Sequence, residues 1–221
     1  MATDIEPLVD QIDDRPTPLA ALLSAYAGSE LSRHRLLWTL DARLARVAAT
    51  TTEPMIGQLR LAWWQETMSD MAGVRGRGDP LVDALRAAGE APPAGLTAWL
   101  DGWEAIIADV DVQTFATGRG GGLFHSLAGE AEVPAWLLQA GSVWACWDLT
   151  GHVRSRELAS QAISLARDLI LPKDPDWPFS WRPMRIAYEL ARKDILRGKG
   201  APNHLTPALY FRLLRVALSA R

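Results

Sequence analysis

Leu37-Trp-Thr-Leu-Asp-Ala-Arg-Leu-Ala-Arg-Val47, taken with Leu36 before it, places apolar side chains at 36, 37, 40, 44 and 47. Steps of three and four gather these on one face of a helix, whereas a strand would alternate. The stretch therefore predicts a core helix that Ser29 can cap and that runs to about Ala49. Thr50, Thr51 and Thr52 are poor helix formers, and Pro54 suits a first helical turn, so a new helix is expected from there to about Met71. Its buried stripe is expected at Ile56, Leu59, Trp63 and Thr67.

Outward from these two helices the pattern repeats. Thr17 to Ala27 reads as a helix with Pro18 in its first turn and Gly28 as its stop. The polar, glycine-rich run Gly73 to Pro80 marks a surface loop, and a helix follows to about Ala88. Further helices are expected at 96–110, 112–127, 134–152, 157–169, 184–196 and 206–220. Pro172 to Pro183 holds four prolines together with Trp177 and Trp181, too apolar for a free linker and expected to lie along the body of the protein. No strand pattern and no fixed repeat intervenes. The expectation is an all-α, irregular helical bundle forming a single domain over 1–221, with 1–16 peripheral.

Composition narrows the function classes. Of 221 residues, 48% are hydrophobic and 22% charged, so the chain can bury a sizeable core. A net charge of -3 gives no general attraction for nucleic acid, which is not an expected partner. Charge is nonetheless uneven: Asp4, Glu6, Asp10, Asp13 and Asp14 crowd one end, while Arg182, Arg185, Arg192, Lys193, Arg197 and Lys199 fall near the other. Cys146 is the one cysteine, which excludes an intrachain disulfide and a cysteine-rich zinc cluster and fits a reducing compartment. With no signal-peptide pattern and no run of eighteen apolar residues, the expectation is a cytoplasmic protein without a transmembrane segment. Peripheral membrane contact stays open.

Several residues could carry chemistry. Gly118-Arg-Gly-Gly-Gly122 lacks the Gly-Lys-Ser/Thr ending of a phosphate loop and follows no strand. Glycines in a helix cost about 1 kcal/mol each against alanine, so close helix packing or a kink beside a cavity is expected there. Glu66 and Asp70, four apart, could share a metal but read better as a solvated face. Asp148 and His152, also four apart, could pair with each other, face a ligand or begin a metal site, which needs further ligands. No Gly-x-Ser-x-Gly elbow supports a hydrolase. The ten tryptophans are expected mainly in the core, with some lining an apolar cavity. Arg60, on a largely apolar helix, needs an anion, for which Glu53 and Asp41 are the candidates.

The helix of Asp41, the stretch Glu53-Pro-Met-Ile-Gly-Gln-Leu-Arg-Leu-Ala-Trp-Trp-Gln65, and Asp79-Pro-Leu-Val-Asp-Ala-Leu85 resemble the squalene/phytoene synthase family in pattern and order. The likeness is good over 35–90 and loose over 95–215. It implies the isoprenoid synthase type of bundle, in which two helices facing a central cavity hold diphosphates through magnesium on aspartates. Carried over by position, the first aspartate motif falls on Ala45, Arg46 and Ala49, and the second near His152 and Arg156, none of them acidic. Asp41 stands one turn earlier, and Asp148 replaces what is usually an amide.

These substitutions resemble a divergent subgroup of the family that acts in the assembly of mitochondrial respiratory complex I. What the resemblance implies is a non-catalytic protein that holds an isoprenoid or lipid-like ligand or a protein partner. Its expected cavity residues are Asp41, Arg60, Trp63, Trp144, Asp148 and His152, with no catalytic residue, metal ligand or cofactor. One alternative is a divergent prenyltransferase acting on isoprenyl diphosphates with magnesium, using Asp41, Asp148 and Glu66 or Asp70. The other is a helical interaction module without a ligand. A cavity between the helices of Asp41 and Asp148 would separate the first reading from the last.

Overall fold

The computed structural model describes residues 15–219, so the acidic cluster from Asp4 to Asp14 and nearly all of the expected peripheral segment 1–16 lie outside the described residues. Among the described residues the architecture is all-α, with no β-strand. The helices are α1 (Pro18–Ser24), α2 (Leu31–Thr50), α3 (Pro54–Ser69), α4 (Pro80–Ala87) and α5 (Leu96–Ala108). There follow α6 (Val112–Phe115), a π-helical turn (Ala116–Gly120) continuous with α7 (Gly121–Ala128), then α8 (Ala135–Thr150), α9 (Arg156–Asp168), α10 (Arg182–Ile195) and α11 (Pro207–Ser219).

Local chemistry sets the helix starts. Pro18, Pro54 and Pro80 occupy first-turn positions, where a missing N–H leaves nothing unpaired. Thr17 Oγ1 accepts from the Ala20 amide at 3.2 Å, Asp79 from Leu81 at 2.9 Å, and Ser155 from Leu158 at 3.2 Å. Gly28, at φ +59°, turns the chain from α1 toward α2 through a short 3₁₀ turn.

α8 is the hub. It is apolar around most of its circumference, and Leu137, Val143, Trp144, Trp147 and Leu149 are all buried against neighbours on several sides. The π turn and α7 pack on one flank, α9 and α10 on the other. The contact with the π turn is backbone against backbone: a side chain on Gly120 or Gly141 would overlap the other's carbonyl, and one on Gly118 would meet the Ala98 carbonyl of α5 at 2.5 Å. The glycine run therefore buys three-helix close packing, as the sequence implied. Eight of the ten tryptophans are buried. Trp177 and Trp181 fold back onto Trp136 and Tyr188, so the proline-rich segment does lie along the body.

The expected buried stripe of α3 holds only at Thr67. Ile56, Leu59 and Trp63 face outward, and Trp63 is 39% exposed. With Thr67 the helix buries Gly57, Leu61, Trp64 and Met68 against α2 and α5. Apolar residues surround α3, so periodicity does not choose its inner face. Gly57 chooses it, because any side chain there would collide with Ile107 and Thr51 at 2.9 Å. Several of the basic side chains near the C-terminal end are paired. Arg185 meets Asp174, Arg192 meets Glu189 at 3.0 Å, and Arg182 donates to the Ala217 carbonyl at 2.7 Å.

His34, buried on α2 at 1% exposure, gives an acid sensitivity. Burial and the adjacent Arg33 charge lower its pKa to about 4, against a smaller opposing backbone hydrogen bond at Leu127. A depressed histidine stays neutral when folded and takes up a proton when unfolded, so its contribution is lost as pH falls from the unfolded value to the folded one. Between pH 7 and pH 4 the loss is about 3 kcal/mol. Urea unfolding at the two pH values should show that loss in the native protein and a smaller one in His34→Gln. Equal losses would contradict this account of His34.

Candidate functional site

Four side chains meet on the wall of a cavity of about 470 Å³ between α2 and α8. Asp41 comes from the middle of α2, Arg119 from the π turn, Asp148 from the last turn of α8, and His152 from just beyond it. Trp38, Trp103, Phe115, Trp144 and Trp147, with alanines of α2, make the rest of the wall largely apolar. The exposed residues Arg15, Thr17, Pro18, Asn203 and His204 border its rim.

Arg119 is the centre of the group. The π turn inserts an extra residue into the helix and re-aims the side chains around it, a device that recurs at functional sites. Arg119 is 5% exposed and points between two carboxylates. Its Nε and Nη2 donate to Asp41 at 3.2 and 2.7 Å, and its Nη1 reaches Asp148 at 2.8 Å. The guanidinium carbon lies 4.6 Å from the Trp103 ring centre, 4.8 Å from Trp144 and 5.4 Å from Phe115. A cation held by two anions and faced by aromatic rings is stabilised from every side.

Asp41 is saturated. Besides Arg119 it accepts the indole N–H groups of Trp99 and Trp103 at 3.0 and 3.3 Å. Asp148 retains more room, with its side chain 17% exposed, and stands 3.7 Å from His152 Nε2. Burial opposes the charge on Arg119, but the two carboxylates more than offset this and hold the guanidinium above its ordinary pKa. Burial likewise opposes the Asp148 charge, and Arg119 and His152 overcome it to hold the carboxyl well below the usual range. That contribution is therefore lost only below the unfolded carboxyl value near 4, a separate window from that of His34. For His152, burial acts downward, and contact with Asp148 wins, raising its pKa.

The sequence-expected residues divide. Asp41, Trp144, Asp148 and His152 line the cavity. Arg60 and Trp63 do not: both lie on the outward side of α3, and Arg60 meets Thr50 Oγ1 at 3.5 Å rather than Glu53 or Asp41. The partner expected for Arg60 belongs to Arg119, a residue the sequence reading passed over inside its glycine run. The signal was present, since a lone arginine among four glycines and apolar neighbours must also find an anion. Glu66 and Asp70 lie elsewhere, the first exposed and the second half-buried. Glu66 pairs with Arg75, and Asp70 accepts the amides of Ala72, Val74 and Arg75 at 3.0, 2.8 and 2.7 Å.

Among the described residues, no group of three His, Cys, Asp or Glu side chains is arranged to hold a metal. The donor set of the cavity also does not suit magnesium. Asp41 is already fully engaged, and Arg119 occupies the space between the carboxylates that a shared divalent ion would need. Cys146 is buried, with its thiol pushed up to about 12, and is inert as a nucleophile or ligand at neutral pH. No helix among the described residues is long and apolar enough to cross a membrane.

Comparison with known proteins returns no match: no protein-family model, no curated protein and no solved structure matches the chain.

Proposed function

We propose that this chain is a non-catalytic binding protein of the squalene/phytoene synthase type, cytoplasmic, which holds an isoprenoid or lipid-like ligand between α2 and α8 in an assembly-factor-like role. The observation that carries the reading is Arg119 seated between Asp41 and Asp148. A covalently tethered cation sits between Asp41 and Asp148, the two carboxylates that line the cavity among the described residues. Ionisation of an isoprenyl diphosphate needs several mobile positive charges on hard oxygen ligands, and these two carboxylates are not free to supply them.

The cavity itself favours ligand binding over a filled interaction module. Its volume falls within the range of small-molecule sites, and its wall is mostly apolar with a few convergent polar groups. The prenyltransferase reading gains the convergence of Asp41 and Asp148 but loses Glu66, exposed on α3, and Asp70, half-buried at its end, neither of which lines the cavity.

The test is calorimetric titration with farnesyl or geranylgeranyl diphosphate, with and without magnesium, followed by a product assay. The expected result is no magnesium-dependent binding and no product. Magnesium-dependent binding with turnover would overturn the non-catalytic reading.

A further inference from the structure

The polar corner of the cavity also restricts the head group of its ligand. Arg119 directs three of its donor atoms to Asp41 and Asp148, and three aromatic rings flank it, so it presents no free cation to an incoming anion. Asp41, Asp148 and Arg119 together carry a formal charge of -1, and because contact with Asp148 raises the His152 pKa, the corner is net anionic in alkaline solution, where His152 is neutral. A phosphate would meet like charge in a poorly hydrated space, where effective dielectric screening is weak. Arg15 and His204 border the cavity only at its exposed rim, where water and salt screen them.

What the corner does offer is acceptor capacity on Asp148, the less buried carboxylate. Trp38 and Trp144 give the cavity wall apolar ring surface, while their indole nitrogens are buried away from its open space. A hydroxyl is the small uncharged group that both donates and accepts.

Resting on the reading of the cavity as an isoprenoid or lipid-like site, we infer that its ligand is a long-chain alcohol, with the hydroxyl donating to Asp148, and that diphosphate esters of the same chain are rejected.

Farnesol, farnesyl diphosphate and the hydrocarbon farnesane, titrated by calorimetry and by tryptophan quenching, test this on the intact chain. Farnesol should bind about tenfold or more tightly than either of the others, the worth of a hydrogen bond to a charged group. Asp148→Asn should narrow the margin between alcohol and diphosphate by roughly tenfold, since the corner then carries no net charge. Equal binding of farnesol and farnesane, or tighter binding of the diphosphate, would sink the head-group inference while leaving an apolar binding site. No binding by any of the three would overturn the binding reading as well.

Discussion

Arg119→Met should lower the melting temperature by about 10 °C. The substitution keeps much of the side-chain volume but leaves Asp41 and Asp148 buried without their shared cation. Breaking a buried ion pair from one side costs about 3–5 kcal/mol, and a chain of this length loses roughly 2–4 °C for each of those. The cause can be separated from lost packing by the triple variant Arg119→Met, Asp41→Asn, Asp148→Asn. With no charge left to strand, it should recover most of the stability, because replacing a whole buried ionic group is often neutral. Thermal melts of the native, single and triple forms decide the matter. A single variant within 1 °C of native would show that the triad is not the buried, cation-dependent unit its geometry describes.

Gly120→Ala should be the other severe substitution. One methyl on Gly120 would overlap the Gly141 carbonyl and approach the Ser142 amide nitrogen at 2.8 Å. Overpacking ordinarily costs about 1–3 kcal/mol, and here two helix backbones must part, which puts the effect at about 3 kcal/mol or beyond. The displacement would also move Arg119, the preceding residue, so ligand affinity should fall with stability. Gly121→Ala is the control on the same helix. Its methyl would meet only the Leu138 side chain at 3.5 Å, an ordinary contact, and alanine is the better helix former, so stability should hold or rise by about 0.5–1 kcal/mol. Equal losses at the two positions in chemical denaturation would refute a specific contact at Gly120.

Helix by helix, the sequence reading was close because its signals are local. Pro18, Pro54 and Pro80 open helices where a proline is tolerated, and the steps from Leu37 to Leu44 fix the buried face of α2. Of the six expected cavity residues, Asp41, Trp144, Asp148 and His152 line the cavity between α2 and α8. Asp41 lies on α2, whose apolar stripe is clear, and Trp144 and Asp148 lie on α8, which neighbours cover on nearly every side, so its residues are enclosed whichever way it is turned. The two that missed, Arg60 and Trp63, share α3, whose apolar residues run all the way round. Periodicity cannot orient such a helix, and the fit of Gly57 against α5 does so instead.

The sequence by itself determined an all-helical chain and the approximate place of its longer helices, though not that α1 stops at Ser24, that Ser29 leaves α2 uncapped, or that a π turn spans Ala116–Gly120. The tertiary structure alone decided that Asp41 and Asp148 share one cation, because that cation comes from Arg119, 78 residues from Asp41 along the chain. No local spacing encodes a pairing over that distance. It exists because Gly118, Gly120 and Gly141 let three helix backbones approach closely enough to set a guanidinium between two carboxylates.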